Sequence, residues 1–325
     1  MRAMLCREYG PPEGLVLEEV APLAAGPGQV VVRVHACGVN FPDTLIIQGQ
    51  YQFKPAFPFA PGAEIAGVVT AVGAGVERIQ LGDRVIAFLG WGGFADEVVA
   101  DAGRIIPLPA ELDFTTAAAF VLTYATSYHA LLDRARLQPG ETLLVLGAAG
   151  GVGLAAVELG KLLGARVIAA ASTSAKLEVC RQYGADELIN YTDEHLKERL
   201  KQITGGKGVD VVYDPVGGPY SETALRATAW NGRLLVVGFA SGEIPRIPLN
   251  LALLKGCALV GVFWGEFTVR EPQRNQQELQ QLLGWLQSGQ LKPHISATYP
   301  LERAVEALND LQQRRVIGKA VVTME

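Results

Sequence analysis

A glycine-rich segment in the middle of the chain constrains the fold more than any other feature. Residues 142–153 read TLLVLGAAGGVG, so an apolar run ends in a glycine cluster, and the helical pattern LAAVELGKLLGA follows directly. A buried strand, a turn of small residues and a helix in that order let the backbone approach a pyrophosphate, while the helix N-terminus offers free N–H groups. A glycine fingerprint alone is weak, but this strand–turn–helix context predicts a dinucleotide phosphate site.

Composition places the chain among soluble globular enzymes. Its 325 residues are enough for two domains, or for one domain with a large insertion. Hydrophobic residues make up 49% and charged residues 19% of the chain, as expected for a protein with a large core. The net charge of −5, without a Lys/Arg cluster, gives no reason to expect nucleic acid as a partner.

The sequence contains no signal for export or membrane insertion. The N-terminus lacks the apolar core of a signal peptide, and the longest apolar runs are interrupted by glycine or charge. Four cysteines lie far apart without a CxxC pair, so neither a disulfide framework nor a zinc ribbon is expected. These features predict a cytoplasmic protein without membrane contact.

The pattern of apolar residues predicts two domains. The first hundred residues predict short strands punctuated by Gly and Pro. From Thr142 onward, six predicted strands alternate with helices, which describes a doubly wound parallel sheet and an α/β fold. We predict a dinucleotide-binding domain over residues 123–264 and a β-rich domain over residues 1–122 and 265–325.

Several short motifs occur in the order and spacing of a known superfamily. They are Val39-Asn40-Phe41-Pro42-Asp43-Thr44, Pro61-Gly62-Ala63-Glu64, the glycine cluster, Ile189-Asn190-Tyr191 and the closing Gly318-Lys319. Together they make the whole chain resemble the zinc-free quinone oxidoreductase (zeta-crystallin-like) branch of the medium-chain dehydrogenase/reductase superfamily. The resemblance implies a six-stranded Rossmann sheet and a GroES-like β-rich domain.

The residues at the zinc-ligand positions of this superfamily predict an enzyme without a metal. Zinc-dependent relatives use a cysteine where this chain has Asn40, and a histidine where it has Ala63, which offers no donor. The four histidines are scattered and read as ordinary core or surface residues. Without a Lewis acid to stabilise an alkoxide, hydride delivery to an electron-poor acceptor is the easier reaction.

The residues after the second strand of the Rossmann pattern favour NADPH over NADH. An NAD site usually carries Asp or Glu about 20 residues past the glycines, whereas this chain has Ala171-Ser172-Thr173-Ser174 followed by Lys176. Small hydroxyls leave room for a 2′-phosphate, and Lys176 can pair with it. The resemblance adds Tyr191 and Arg314 to this phosphate site.

The resemblance also implies further cofactor contacts, most of them at the carboxyl ends of strands. They are Asn40 and Thr126 near the nicotinamide, Ala149, Gly150, Gly151 and Val152 at the pyrophosphate, and Val216, Gly238, Phe239, Ala240, Phe263, Trp264 and Gly265 after the later strands.

No side chain stands out as an obligatory general acid. Asn40, Asp43 and Tyr51 are the side chains that we expect to orient the acceptor, with water as the proton source, and Tyr124 is a further candidate. The predicted reaction is NADPH-dependent reduction of a quinone. Leu45 replaces a tyrosine of the family near the substrate, which makes this pocket more apolar.

Other functions fit the same sequence. An enoyl or 2-alkenal reductase acting on an activated C=C bond, including an acryloyl-CoA-type thioester, would use the same hydride chemistry. A non-catalytic NADPH- or RNA-binding, crystallin-like protein is the alternative from another class. The family pairs edge strands, so we expect a homodimer through the apolar strand Ala258–Phe263.

Overall fold

A computed structural model describes residues 1–324; Glu325, the last residue of the predicted β-rich domain, lies outside the described residues. The strands are β1 (Arg2–Leu5), β2 (Val16–Glu19), β3 (Gln29–Val39), β4 (Glu64–Val72), β5 (Arg84–Phe88), β6 (Glu97–Asp101), β7 (Ile105–Pro107), β8 (Thr142–Leu146), β9 (Arg166–Ala171), β10 (Glu187–Asn190), β11 (Val209–Asp214), β12 (Thr228–Val236), β13 (Ala258–Gly261), β14 (Ile295–Pro300) and β15 (Lys319–Thr323).

The α-helices are α1 (Phe41–Ile46), α2 (Phe114–Ala118), α3 (Val121–Tyr128), α4 (Gly151–Leu162), α5 (Ser174–Gln182), α6 (Leu196–Ile203), α7 (Pro219–Arg226), α8 (Asn250–Lys255), α9 (Trp264–Arg270), α10 (Pro272–Gln287) and α11 (Ala304–Gln312). A π-helical segment, His129–Arg134, continues α3, and short 3₁₀ turns cover Pro12–Gly14, Ala102–Arg104 and Leu301–Arg303.

The chain divides into two units. The first comprises Met1–Leu122 and the segment that begins at Pro293, and the second comprises Thr123–Lys292. The sequence prediction set the second boundary after residue 264, so it assigned α9 and α10 to the wrong unit. These helices stay with the second unit because α10 buries an apolar face and the Phe267 ring of α9 stacks on His129 at 4.2 Å.

The first unit is built on a sheet in the order β14-β15-β3-β4-β5-β7, with β6 also paired to β3. Strand β3 is long and almost wholly buried because its apolar run faces the core on both sides. It ends at Val39, and α1 begins two residues later. The end of this central strand therefore delivers Asn40 and Asp43 into the interior.

The second unit contains the predicted doubly wound sheet. Its order is β10-β9-β8-β11-β12-β13, and every neighbouring pair is parallel. The central strand β8 is a nearly continuous apolar run and is almost wholly buried, as expected for a parallel strand covered on both faces. The α/β fold class is confirmed. In the described part of the chain, no helix combines the length and apolar character needed to cross a membrane.

Candidate functional site

The carboxyl ends of six strands form one edge of the second unit's sheet. Because all neighbours are parallel, Leu146, Ala171, Asn190, Asp214, Val236 and Gly261 mark the same edge. Open α/β sheets bind their ligands at this edge. The residues predicted to contact a cofactor in this unit, Thr126 on α3 excepted, follow these strand ends closely.

The glycine turn after β8 has room only for glycine at two positions. Gly147 has a φ of +56°, and the N–H of Gly150 donates to its carbonyl at 3.0 Å. A Cβ on Gly153 would lie 2.3 Å from Gly147 O, so the first turn of α4 packs directly on the end of β8. The turn therefore keeps the backbone close to whatever lies above it.

A polar chain below the turn holds it in place. The buried hydroxyl of Ser127 donates to the Val152 carbonyl at 2.9 Å and shares a hydrogen bond with the Tyr213 hydroxyl at 2.8 Å. Burial raises the pKa of Tyr213 well above that of a free phenol, so its hydroxyl stays neutral. Neither residue is predicted from the sequence, because a polar group that supports a turn through side-chain contacts leaves no local motif.

The first turn of α4 presents backbone donors at the sheet edge. The first bond within the helix runs from Leu154 N to Gly150 O at 2.8 Å, so the N–H groups of Gly151, Val152 and Gly153 precede the helical ladder. Gly150 is exposed. An exposed helix start with small residues suits an anionic group.

The structure brings Ser172, Lys176 and Tyr191 to adjacent strand ends. The Thr192 hydroxyl donates to the Ser172 carbonyl at 3.0 Å, and Tyr191 N donates to Ala171 O at 3.2 Å. Lys176 lies in the first turn of α5, where its N–H is capped by Thr173. Arg314, the fourth predicted phosphate contact, belongs to the first unit, just past the end of α11.

A buried carboxylate shapes the loop after β11. Asp214 accepts hydrogen bonds from Val216 N and Gly217 N, both at 2.9 Å, and from the Ser221 hydroxyl at 2.5 Å. Its backbone carbonyl accepts from Gly238 N at 3.3 Å. One aspartate thus ties together two loops that carry predicted cofactor contacts.

The residues after β13 differ in exposure. The side chain of Trp264 is buried and its indole donates to Asn275 at 3.1 Å, whereas Phe263 is 46% exposed. Gly265 lies in the first turn of α9. Trp264 therefore anchors α9, and Phe263 is the aromatic ring available at the surface.

In the first unit, the end of β3 meets a buried ion pair. The Lys319 ammonium donates to Glu64 Oε1 at 2.7 Å, to Asn40 Oδ1 at 2.6 Å and to Val39 O at 3.1 Å. The Lys319 side chain is 4% exposed and that of Glu64 is 0% exposed. All three ammonium protons have acceptors, so this lysine is a fixed internal cation.

The amide group of Asn40 is fully engaged in this cluster. Its Oδ1 accepts from Lys319, and its Nδ2 donates to Glu64 Oε1 at 2.9 Å and to Gly38 O at 3.1 Å. The other oxygen of Glu64 accepts from Leu122 N at 2.8 Å. To contact the acceptor or the nicotinamide as predicted, the Asn40 amide would therefore have to give up hydrogen bonds that it makes inside the first unit.

Asp43 is also turned inward. Its carboxyl accepts from Asn40 N at 2.8 Å and from Gly62 N at 3.2 Å, which links the start of α1 to the loop before β4. Burial raises the pKa of Asp43 to about 7. Burial and the Asp43 charge also raise the pKa of the partly buried Tyr51 phenol, so Tyr51 stays neutral.

Tyr124 is committed within the second unit. Its hydroxyl donates to Glu158 Oε2 at 2.6 Å, and Glu158 also accepts from Lys292 N at 2.9 Å. Burial raises the pKa of Glu158 to about 7. These contacts fasten the C-terminal end of the unit to α4.

Sequence reasoning used Glu64 and Lys319 only as markers of the family. The signal was present, because each is a charged residue inside an apolar stretch, GAEIAGVV and IGKAVVT, where strands are buried. Two opposite charges that must both be buried are expected to pair. Nothing local, however, says that they pair with each other across 255 residues.

Family models match both units. Residues 151–288 match the model described as zinc-binding dehydrogenase, and residues 26–110 match that of the alcohol dehydrogenase GroES-like domain. The chain is 43% identical to a quinone oxidoreductase-like protein 2 homolog of Nematostella vectensis, covering 99% of this chain and 88% of that protein.

Solved structures agree over the full length. A quinone oxidoreductase of Pseudomonas syringae pv. Tomato DC3000 is 34% identical, with a TM-score of 0.93 and 99% of each chain covered. The Escherichia coli quinone oxidoreductase complexed with NADPH is 32% identical, with a TM-score of 0.93, covering 99% of this chain and 100% of that one.

The fold, the sheet edge and these matches define an oxidoreductase with a GroES-like unit and a Rossmann unit. The chain belongs to the medium-chain dehydrogenase/reductase superfamily, in its zeta-crystallin-like quinone oxidoreductase branch.

Proposed function

We propose that the chain catalyses the NADPH-dependent, zinc-independent reduction of quinones by hydride transfer. The observation that carries the proposal is the buried Lys319 ammonium, which is hydrogen-bonded to Asn40 at the position where zinc-dependent relatives have a cysteine ligand. A relative named quinone oxidoreductase, crystallised with NADPH, shares the fold at a TM-score of 0.93.

The donor set around Asn40 does not fit a catalytic zinc ion. A catalytic zinc site needs three protein ligands, usually cysteine, histidine or a carboxylate. Here Ala63 has no donor atom, and the oxygen atoms of Asn40 and Glu64 already bind a cation, the Lys319 ammonium. A dication placed beside this fixed ammonium would be repelled. The proposed reaction therefore contains no zinc-dependent step.

The backbone around the glycine turn fits the pyrophosphate of NADPH. Gly151 and Val152 offer N–H groups at the start of α4, and Ala149 and Gly150 lack side chains large enough to block the approach. NADPH supplies the hydride when bound, and the protein positions it. Val216, Gly238, Phe239, Ala240, Phe263, Trp264 and Gly265 are proposed to line the remaining length of the cofactor.

The absence of a carboxylate after β9 supports NADPH over NADH. Ser172, Lys176 and Tyr191 supply a hydroxyl, an ammonium and a phenol at adjacent strand ends, which suits a 2′-phosphate. We propose that Arg314 completes this set.

The roles of Asn40 and Asp43 in the proposed reaction are positional. Their polar atoms bind within the first unit, where they fix the start of α1 and the loop at Gly62. Tyr51 is the proposed group that orients the acceptor, and Thr126 is proposed to hold the nicotinamide amide. Water supplies the proton, because a hydroquinone anion is stable enough to wait for it.

A second acceptor class, an enone or an enoyl thioester, is favoured by one residue. Leu45 on α1 replaces a tyrosine of the family, so the surface at this point is more apolar than a tyrosine would make it. Reduction of an activated C=C bond would use the same hydride and the same protein groups.

We also propose that the enzyme is a homodimer. Strand β13 is an edge of the sheet, and large apolar side chains are exposed beside it, with Trp230 at 73%, Leu249 at 76% and Leu253 at 80%. An exposed apolar edge of this kind is usually buried against another protein surface, here that of a second copy of the chain. Light scattering on the wild type and on Leu253→Glu tests it: a dimer that the variant splits supports the interface, and a monomeric wild type contradicts it.

A steady-state screen tests the reaction and the cofactor together. NADPH and NADH are compared side by side with 1,4-benzoquinone, an enone and an acryloyl thioester, with and without a zinc chelator. We expect the highest kcat/KM for NADPH with benzoquinone, unchanged by chelation. If the alkene is turned over far faster than the quinone, the second acceptor class is the substrate instead.

A further inference from the structure

One cluster of titratable side chains takes no part in the proposed reaction. His129 and Asp133 lie on the π-helical segment, and Glu278 lies on α10. One nitrogen or oxygen atom of each lies within 4.8 Å of the other two. None of the three is among the residues predicted to bind cofactor or acceptor.

The cluster is buried and tightly connected. His129 Nδ1 and Asp133 Oδ2 are 2.6 Å apart, and Glu278 lies against the Asp133 carboxyl. The imidazole of His129 is held between Asp133 and the Phe267 ring, which stacks on it at 4.2 Å. The residues His129 and Glu278 are 6% and 7% exposed, so water screens them poorly.

One oxygen of the cluster has no partner. Glu278 Oε2 is buried without a hydrogen-bond partner among residues 1–324, although its other oxygen lies 3.4 Å from Arg274 Nε. A buried carboxylate oxygen left unpaired costs free energy unless a proton or a cation satisfies it. The orphan atom is therefore a second sign, beside the cluster itself, that this position takes up either a proton or a cation.

One exposed guanidinium serves three acidic groups at the cluster. Within residues 1–324, Arg274 forms ion pairs with the carboxyls of Asp133, Glu271 and Glu278. The Arg274 side chain is 48% exposed and can swing into solvent. A dication bound in its place would compensate the carboxyls of Asp133 and Glu278.

We propose that His129, Asp133 and Glu278 form a binding site for a divalent transition-metal ion, for which Zn²⁺ is the best match. One imidazole and two carboxylates are ligands that Zn²⁺ accepts in tetrahedral sites, at about 2.0–2.2 Å from the metal. That geometry sets ligand atoms about 3.4 Å apart, and the three ligand atoms here lie within 4.8 Å of one another. A fourth position stays open for water.

Metal binding would fasten α10 to the π-helical segment. The ring of Phe267 on α9 stacks on His129 at 4.2 Å, so the metal would also restrain α9. Deviations to π geometry often occur at functional sites, since they turn side chains out of the regular helical register. The expected consequence is a more stable second unit when the metal is bound.

A Co²⁺ titration tests the site. The full-length protein, freed of metal, is titrated with Co²⁺ and monitored by the visible bands of tetrahedral cobalt, and Zn²⁺ is then added as competitor. We expect one equivalent to bind, Zn²⁺ to displace it, and Zn²⁺ to raise the melting temperature.

Three variants give the test its discrimination. Glu278→Gln should weaken binding at least tenfold, because it replaces a charged ligand with a neutral amide. Glu271→Gln is the matched control: it removes another carboxyl bonded to Arg274 but no ligand, and should change affinity less than threefold. Arg274→Gln removes the competing cation and should tighten binding.

The proposal is overturned if the wild type shows no saturable cobalt spectrum, or if Glu278→Gln and Glu271→Gln weaken binding equally. It is also overturned if Arg274→Gln weakens it. Circular dichroism and the melting temperature of each metal-free variant confirm that it is folded, so a lost spectrum reports the site.

Discussion

Removing the Lys319 ammonium should destabilise the first unit far more than removing an exposed lysine. In Lys319→Met, a chain of similar length and no charge replaces the ammonium. The Glu64 carboxylate, 0% exposed, then keeps only its hydrogen bonds from Leu122 N and Asn40 Nδ2. Asn40 Oδ1 also loses its donor.

The expected loss follows from the burial of the pair. Breaking a buried ion pair by removing one partner costs about 3–5 kcal/mol, because the remaining charge has no compensation. At about 2–4 °C per kcal/mol for a unit of this size, the melting temperature should fall by about 10 °C. The matched control is Lys161→Met, since the Lys161–Asp186 distance is 2.8 Å against 2.7 Å for Lys319–Glu64, but its side chains are 34% and 37% exposed. It should cost at most about 1 kcal/mol.

The assay is urea unfolding followed by fluorescence and circular dichroism, so that the two units are separated if they unfold in two steps. The double variant Glu64→Gln/Lys319→Met removes both charges and should recover at least about half of the loss. If Lys319→Met costs no more than Lys161→Met, or if the double variant is less stable than the single one, the buried pair is not what holds this cluster.

Three further predictions concern the turn, the cofactor and pH. Gly153→Ala should destabilise the protein by about 1–3 kcal/mol because its Cβ would lie 2.3 Å from Gly147 O. In the control Gly150→Ala, the new Cβ would lie 3.4 Å from the same oxygen, so the melting temperature should not change. NADPH binding measured by calorimetry should be about tenfold weaker, because the new methyl group obstructs the phosphate turn. Equal losses of stability in Gly153→Ala and Gly150→Ala would contradict this assignment. Lys176→Ala should raise the KM for NADPH about tenfold and leave that for NADH unchanged, and equal effects in steady-state kinetics would remove Lys176 from the phosphate site. Asp43 has a pKa of about 7 in the folded protein, above its unfolded value, so its contribution to stability is present at low pH and is lost as pH rises from about 4 to about 7. Urea unfolding midpoints measured across this pH range should therefore fall less for Asp43→Asn than for the wild type. An equal fall in the two proteins would refute the prediction.

The sequence predicts the Rossmann unit well because its signals are local. Strand β8 coincides with the run Thr142–Leu146, β9 and β10 each contain the next apolar runs along the chain, and each glycine turn or cap lies beside the element that it serves. Prediction fails at the second boundary, because nothing local tells that Phe267 packs on His129. Amphipathic helices such as α10 reveal that one face is buried but not what covers it.

The candidate site also contains some residues that the sequence predicts and others that it does not. The spacing along the chain is enough to propose the glycine cluster and Ser172 as cofactor contacts, because both lie directly after predicted strands. The Lys319–Glu64 pair could not be predicted in this way, since it joins two strands distant in sequence. The sequence predicts that Asn40 contacts the acceptor, but it cannot predict that the side-chain amide is engaged by Gly38, Glu64 and Lys319, because those partners are set by the fold.

The most direct measurement of the central claim is an anaerobic single-turnover experiment. Enzyme treated with chelator is loaded with NADPH, or with NADPH deuterated at the transferred position, and mixed with 1,4-benzoquinone while nicotinamide absorbance is recorded. The account predicts one NADPH oxidised per site, a slower transfer from the deuterated cofactor, and the same rate before and after chelation. Loss of the reaction on chelation with recovery on adding Zn²⁺ to both wild type and Glu278→Gln, or no oxidation of bound NADPH by the quinone, would contradict it.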